Sequence, residues 1–284
     1  MARLANRLPD NVPGEFYVDS SCIDCDTCRQ VAPATFGEAS DHAFVHAQPA
    51  DEVQKRRALM ALVSCPTSSI GTLSKLNVAE GVAALPELVT DGVYYCGYAA
   101  ESSFGASSWL IVRPQGNVLV DSPRAARPLM DRVAELGGVK TMFLTHGDDV
   151  ADHAKWALRF GCERVMHEAD GVDGIEREIG GDGPVALADD LLVIPVPGHT
   201  RGSATLLYKD RVLFTGDHLW GRSDGKLGAS RSVCWYSWRE QTRSMEKLRD
   251  YDFEWVLPGH GRRFGPVTAQ AMRSEIDRLV ARMK

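Results

Sequence analysis

The sequence predicts an α/β protein with a small cysteine-bearing module in front of it, and three observations carry that reading. From Val93 onward short apolar runs alternate with helical patterns. Four of those runs end in a His or Asp on a short turn containing Gly or Thr. Residues 1–75 hold Cys22, Cys25 and Cys28 at even spacing and a distant Cys65 followed by Pro66.

Composition bounds the rest. A chain of 284 residues that is 44% hydrophobic and 25% charged fits one large domain plus a small one. A net charge of −6 without any Lys/Arg run gives no attraction for nucleic acid or an acidic membrane surface, so neither partner is expected. The stretch Met1–Asp10 lacks a signal-peptide core, and no segment approaches the ~20 apolar residues of a membrane span. A cytoplasmic protein is expected. Seven cysteines is an odd number, which disfavours a disulfide framework. Cys96 and Cys162 read as small buried hydrophobes, and Cys234 lies in a loop.

In the first segment, 51–63 reads as an amphipathic helix with Val53, Ala58, Leu59 and Leu62 on one face. Residues 76–90 read as a connector to a second domain over 91–284. There Trp109–Arg113 and Asn117–Val120 form a hairpin about Pro114-Gln115-Gly116. Thr141–Leu144 leads to His146, and a helix follows Asp152 and stops at Gly161. Leu191–Val196 leads to His199. Ser203–Tyr208 and Arg211–Phe214 form a second hairpin that delivers Asp217. Ser237 and Glu240 make a capping box ahead of a helix with Trp238, Met245 and Leu248 inside. Phe253–Leu257 leads to His260. Strand ends gathered at one sheet edge hold metals and ligands on a rigid scaffold.

Three cysteines at C-x2-C-x2-C spacing let one tight loop supply three thiolates, and Cys65-Pro66 supplies a fourth, as an iron–sulfur cubane requires. Zinc is the rival occupant, although its sites usually offer two separated knuckles. The stretch CIDCDTCRQVAPATF with CPTSSI resembles single-cluster [4Fe–4S] ferredoxins. That resemblance implies a small α+β ferredoxin-like domain whose cluster is held by Cys22, Cys25, Cys28 and Cys65.

Metal hydrolases hold divalent ions with imidazoles and carboxylates while leaving positions open for water. The ordered set THGDDVADH (145–153), Gly198-His199-Thr200, Thr215-Gly216-Asp217 and Pro258-Gly259-His260 resembles the metallo-β-lactamase superfamily. The resemblance implies an αββα sandwich with one or two divalent metals (Zn, Fe or Mn). It assigns His146 and His199 to a first metal, Asp152, His153 and His260 to a second, and Asp217 to the bridge, with Asp152 and Asp217 as catalytic carboxylates. The sequence departs from the family's H-x-H-x-D-H: Asp148 stands where the second His belongs, and two extra residues precede Asp152-His153. Either Asp148 (or Asp149) supplies an oxygen ligand, which favours iron or manganese, or one metal is held by Asp152, His153, Asp217 and His260 alone. His42, His46 and His167 read as surface or hydrogen-bonded residues, whereas His218 is placed to orient a ligand or relay protons. The loop 218–238 offers Trp220, Cys234, Trp235 and Tyr236 as pocket walls.

The expected function is metal-hydroxide hydrolysis of an ester, thioester, amide or phosphoester in a small-molecule substrate. Hydroxyacylglutathione hydrolases share the metal motifs but carry extra C-terminal helices, so with about 24 residues after His260 a glutathione thioester is disfavoured. Two alternatives stay open. One is a mono-iron or di-iron oxidoreductase fed by the cluster, which needs an external electron donor because no flavodoxin-like segment is present. The other is a non-catalytic metal or redox sensing module.

Overall fold

A computed structural model describes residues 2–284. The chain falls into two units, one comprising residues up to Lys140 with Ala151–Gly161, the other Thr141–Val150 with Cys162–Lys284.

In the first unit, Phe16–Val18 pairs antiparallel with Ile70–Thr72, and Phe36–Glu38 pairs with Ala43–Val45. The buried amide of Asn11 ties the two pairs together. Its Oδ1 accepts from the N–H groups of Val18 and Val45 at 2.9 and 3.0 Å, and its Nδ2 donates to Val18 O at 2.8 Å. The helix Glu52–Ser64 begins where expected, with Asp51 Oδ1 accepting from Gln54 N at 2.8 Å. It buries Ala58, Leu59, Met60 and Ala61 in succession, a wider face than a single stripe. Val53 is 61% exposed, because it lies in the first turn, ahead of the buried stretch. The segment read as a connector has structure of its own: a helix Ala79–Ala83 and a strand Glu87–Thr90 that pairs with Val93–Tyr95.

The expected first hairpin is present, with Trp109 opposite Val120 and Ile111 opposite Val118. All three residues of Trp109–Ile111 are buried, as in a strand covered on both faces. The helix His153–Phe160 ends at Gly161, whose φ of +64° is a left-handed cap. Its Trp156 is fully buried, and its indole N–H donates to Pro123 O at 2.9 Å. Trp156→Ala leaves both a cavity and an unmet carbonyl. The expected cost is about 3–5 kcal/mol, read as a lower denaturation midpoint at unchanged slope; an unshifted midpoint contradicts this packing role.

In the second unit, Thr141–Phe143, Glu163–His167 and Arg177–Ile179 run parallel. A five-stranded sheet has the order Val185–Ala188, Leu191–Pro195, Ala204–Tyr208, Val212–Gly216, Trp255–Pro258, with the last pair parallel. The second hairpin reverses at Lys209 and Asp210, both at positive φ. Every residue of Val212–Gly216 is buried. Period-two alternation puts Ile194, Leu207, Leu213 and Val256 against Met245, Leu248, Met272, Ile276 and Val280 of the two helices Trp238–Lys247 and Ala269–Met283. Ser237 Oγ caps the first of these helices at Glu240 N, 3.2 Å, while the Glu240 carboxylate pairs with Arg243. No helix among the described residues is long and apolar enough to cross a membrane.

Candidate metal centre and cluster site

Four strands of the second unit deliver the residues expected at their ends. Thr141–Phe143 leads to His146, Leu191–Pro195 to His199, Val212–Gly216 to Asp217 and Trp255–Pro258 to His260. Buried hydrogen-bonded strands cannot shift, so the side chains just beyond them are held in place. Asp217 lies at the centre. Its Oδ2 is 3.8 Å from His146 Nε2, 3.8 Å from His199 Nε2 and 2.9 Å from His260 Nδ1. His146 Nε2 is buried without a hydrogen-bond partner, and Asp149 Oδ2 is also 3.8 Å from it. The 3.8 Å separations are too long for hydrogen bonds, unlike the 2.9 Å contact of His260. They approach the roughly 3.4 Å between two ligands sharing one ion through bonds of ~2.1 Å.

Two groups of metal-ligand atoms meet at His146: one with Asp148 and His199, the other with Asp149 and Asp217. Three carboxylates and three imidazoles here supply about three negative charges against the four positive charges of two divalent ions. The donor set therefore fits a metal centre. Gly259 permits this closeness: a Cβ there would stand 2.6 Å from Asp149 Oδ2 and 2.9 Å from Asp217 Oδ1.

Electrostatics follow the same geometry. Burial pushes the Asp217 carboxyl up, but His260, His146 and His199 outweigh it and hold the group well below the usual carboxylate range. Burial lowers His146, with Asp217 opposing. For His199 burial opposes charging, yet Asp148 and Asp217 raise it. Its Nδ1 meets Val233 O at 2.5 Å; an N–H there leaves the Nε2 lone pair as the ligating one.

Asp152, His153 and His260 are not in these ligand groups among the described residues, but His260 reaches the centre through Asp217 at 2.9 Å. The carboxylate of Asp152 accepts from Ala125 N at 2.8 Å and pairs with Lys155 at 2.7 Å. His153 opens the helix His153–Phe160. The two extra residues of this motif are absorbed by a 3-10 turn, Gly147–Asp149, and by Ala151 at φ +31°. That turn puts Asp149, not Asp152, beside His146 and Asp217. His218 is buried, burial pushes its imidazole down to about 3, and neither ring nitrogen has a hydrogen-bond partner. His167 meets Gly181 O, His46 meets Pro33 O, and His42 lies between Asp10 and Asp41, as ordinary structural histidines do.

The loop after Asp217 is tied to His199. Trp235 N and Tyr236 N donate to His199 O at 2.9 and 3.0 Å, and the Cys234 thiol donates to Gly198 O at 3.1 Å. Trp235 Nε1 donates to Asp148 Oδ2 at 3.1 Å, and the same oxygen lies 3.2 Å from His199 Nε2. Trp235 is 65% exposed and Tyr236 51%, which leaves two aromatic rings at the rim of the centre. Nothing in the sequence pointed to the Trp235–Asp148 bond, since it joins residues 87 apart.

In the first unit Cys22, Cys25, Cys28 and Cys65 line one cavity with Ile23, Pro66 and Ile70. All seven cysteines are free thiols. Cys22 Sγ accepts from Ala43 N at 3.4 Å and Cys65 Sγ from Ser69 N at 3.3 Å, which is the environment a thiolate needs. Burial first, then the neighbouring thiols, push the Cys28 thiol well up. A positively charged cluster core reverses that balance, and the cradle fits one. Buried Arg29 braces the loop through Asp24 at 2.6 Å and Asp26. Cys96 and Cys162 are buried as expected.

Residues 103–260, more than half of the chain, match the model of the metallo-β-lactamase superfamily. The chain belongs to the metallo-β-lactamase superfamily. Residues 18–72 match the 4Fe-4S single cluster domain of ferredoxin I. A curated relative, a hydroxyacylglutathione hydrolase from Fuscovulum blasticum, is 34% identical over 119 residues. The match takes in 38% of this chain and 45% of that protein, so the chain spans less than half the length of this relative. Among solved structures, the DIM-1 metallo-β-lactamase aligns at a TM-score of 0.53 with 19% identity, over 68% of this chain and 96% of the other. A metallo-β-lactamase from Hirschia baltica aligns at 0.52 with 16% identity, over 66% and 95%. These likenesses show a metallo-β-lactamase fold.

Proposed function

We propose that this chain is a metallo-hydrolase acting on an ester, thioester, amide or phosphoester of a small molecule, with a [4Fe–4S] cluster in its ferredoxin-like segment over 1–75. The observation that carries the reading is the position of the Asp217 carboxylate within 3.8 Å of imidazoles from three other strand ends. His146, Asp148 and His199 would hold one divalent ion, and Asp149, Asp217 and His260 a second, with Asp217 between them. Divalent ions bound there supply a water of lowered pKa and polarise the scissile carbonyl or phosphoryl group. The chain's own part is to hold six ligands rigid, to keep both histidine Nε2 atoms aimed inward through Val233 O and Thr145 Oγ1, and to exclude water from the His146 side. Trp235 and Tyr236 at the rim favour a substrate with an apolar acyl or aryl part. The curated hydrolase relative supports the carbonyl classes.

A panel of an aryl ester, an acyl thioester and an aryl phosphodiester, assayed after loading with zinc, manganese or iron(II), tests the reading. Metal-dependent turnover of at least one is expected; inert protein under every loading overturns it. The ligand assignment has its own test in metal content. Asp149→Ala is expected to lose about one ion per chain and Asp152→Ala none, the reverse of what the family spacing implies. Loss in Asp152→Ala with full retention in Asp149→Ala contradicts it.

One observation favours a second reading, the cluster-fed iron oxidoreductase: three carboxylates in the donor set move preference from zinc toward iron or manganese. Iron at the strand-end centre, reducible by an external donor only while the cluster is present, separates that reading from hydrolysis.

A further inference from the structure

The family match for the cluster module ends at residue 72, yet its cradle does not. Gly105, 80 residues beyond Cys25 in sequence, lies against it. A Cβ on Gly105 would stand 2.5 Å from Cys25 Cβ, 2.8 Å from Cys25 Sγ and 3.4 Å from Pro66 Cγ. The glycine's φ is +84°, a conformation that L side chains resist. Its carbonyl accepts from the buried Thr27 hydroxyl at 3.2 Å, and Thr27 Oγ1 is in turn 3.4 Å from Cys25 Sγ.

The turn that carries Gly105 is fixed by its own backbone. Phe104 N donates to Glu101 O, Gly105 N to Ala100 O and Ala106 N to Ser103 O, at 2.9 to 3.0 Å. Phe104 itself sits at φ +47°, which a bulky residue keeps only where its surroundings over-determine it. The other arm of the cradle is held from the same part of the chain. Ala99 N donates to Ser64 O at 3.1 Å and Arg124 Nη2 to Val63 O at 3.0 Å, which fixes the two residues ahead of Cys65.

We propose that the segment Gly97–Ala106 completes the cluster cradle, with Gly105 and Thr27 as positioning residues for Cys25. Cluster retention then depends on a segment outside the ferredoxin-like module, and the two fold as one cooperative piece. Loss of the cluster loosens this turn, because what binds only the folded form stabilises it. The proposal rests on the cluster reading above.

The test uses the full chain, purified anaerobically, with decay of the cluster's visible absorbance in air as the readout. Gly105→Ala is compared with Gly161→Ala, whose glycine has φ +64° and nothing within 4 Å of its Cβ position. Both variants bear the backbone cost, but only the first collides with a cluster ligand. Gly105→Ala is expected to lose its cluster at least about tenfold faster than wild type, the low end of what removing support behind a metal ligand costs, and Gly161→Ala at the wild-type rate. Should Gly105→Ala not fold, Thr27→Val is expected to speed the loss and shift the midpoint potential, with Thr27→Ser restoring both. A cluster equally durable in wild type and Gly105→Ala, or in wild type and folded Thr27→Val, overturns the proposal alone. A wild type that binds no cluster removes the cluster reading as well.

Discussion

Asp217→Asn is expected to empty the strand-end centre. The substitution keeps the shape of the side chain and removes the negative charge that His260, His146 and His199 surround. A carboxylate between two ions neutralises both at once, so its loss acts on each of them. Affinity should fall by more than the 10–100-fold that follows loss of an outer support. kcat should drop by at least about 10²–10³, the loss typical of removing one electrostatic stabiliser. Metal content after dialysis, and turnover of whichever panel substrate is accepted, measure the two effects. Full metal content in Asp217→Asn contradicts the proposed bridging role.

Cys65→Ser is expected to yield colourless protein. Cys65 lies at the end of the helix Glu52–Ser64, remote in sequence from the other three cysteines, so as the proposed fourth ligand it would tie the loop to the helix. Serine offers a hard, protonated hydroxyl where the cluster needs a soft thiolate. Because cluster binding contributes to folding, residues 18–72 should also become more sensitive to protease. Cys162→Ser, a buried thiol outside the cavity, is the control and should stay coloured. Equal colour in both variants removes Cys65 from the ligand set.

Much of the candidate metal centre was legible because its residues follow strands. A strand announces itself by a short apolar run, and a His or Asp after a Gly or Thr turn marks its end; His146, His199, Asp217 and His260 were each found that way. The sequence assigns Asp152 to the second metal and offers Asp149 only as an alternative to Asp148 in the first. The choice depends on how two extra residues are absorbed, and a 3-10 turn with Ala151 at positive φ is a tertiary outcome, invisible to spacing. The Trp235–Asp148 bond and the approach of Gly105 to Cys25 join distant segments, and no local pattern encodes them. Val53 matched a helical face and is exposed, because periodicity locates a face without saying where along the helix burial begins. The strand Glu87–Thr90 was missed within a stretch lacking alternation: the apolar Leu88 is 60% exposed while the charged Glu87 beside it is half-buried, so polarity does not follow burial and no period-two signal arises.

Combined analysis of iron, acid-labile sulfide and other divalent metals on anaerobically purified wild type tests the central claim most directly. The account predicts four irons and four sulfides for the cluster, together with up to two further ions per chain that Asp217→Asn lacks and Cys65→Ser keeps. Metal confined to the cluster in the wild type, with nothing further lost in Asp217→Asn, would contradict it.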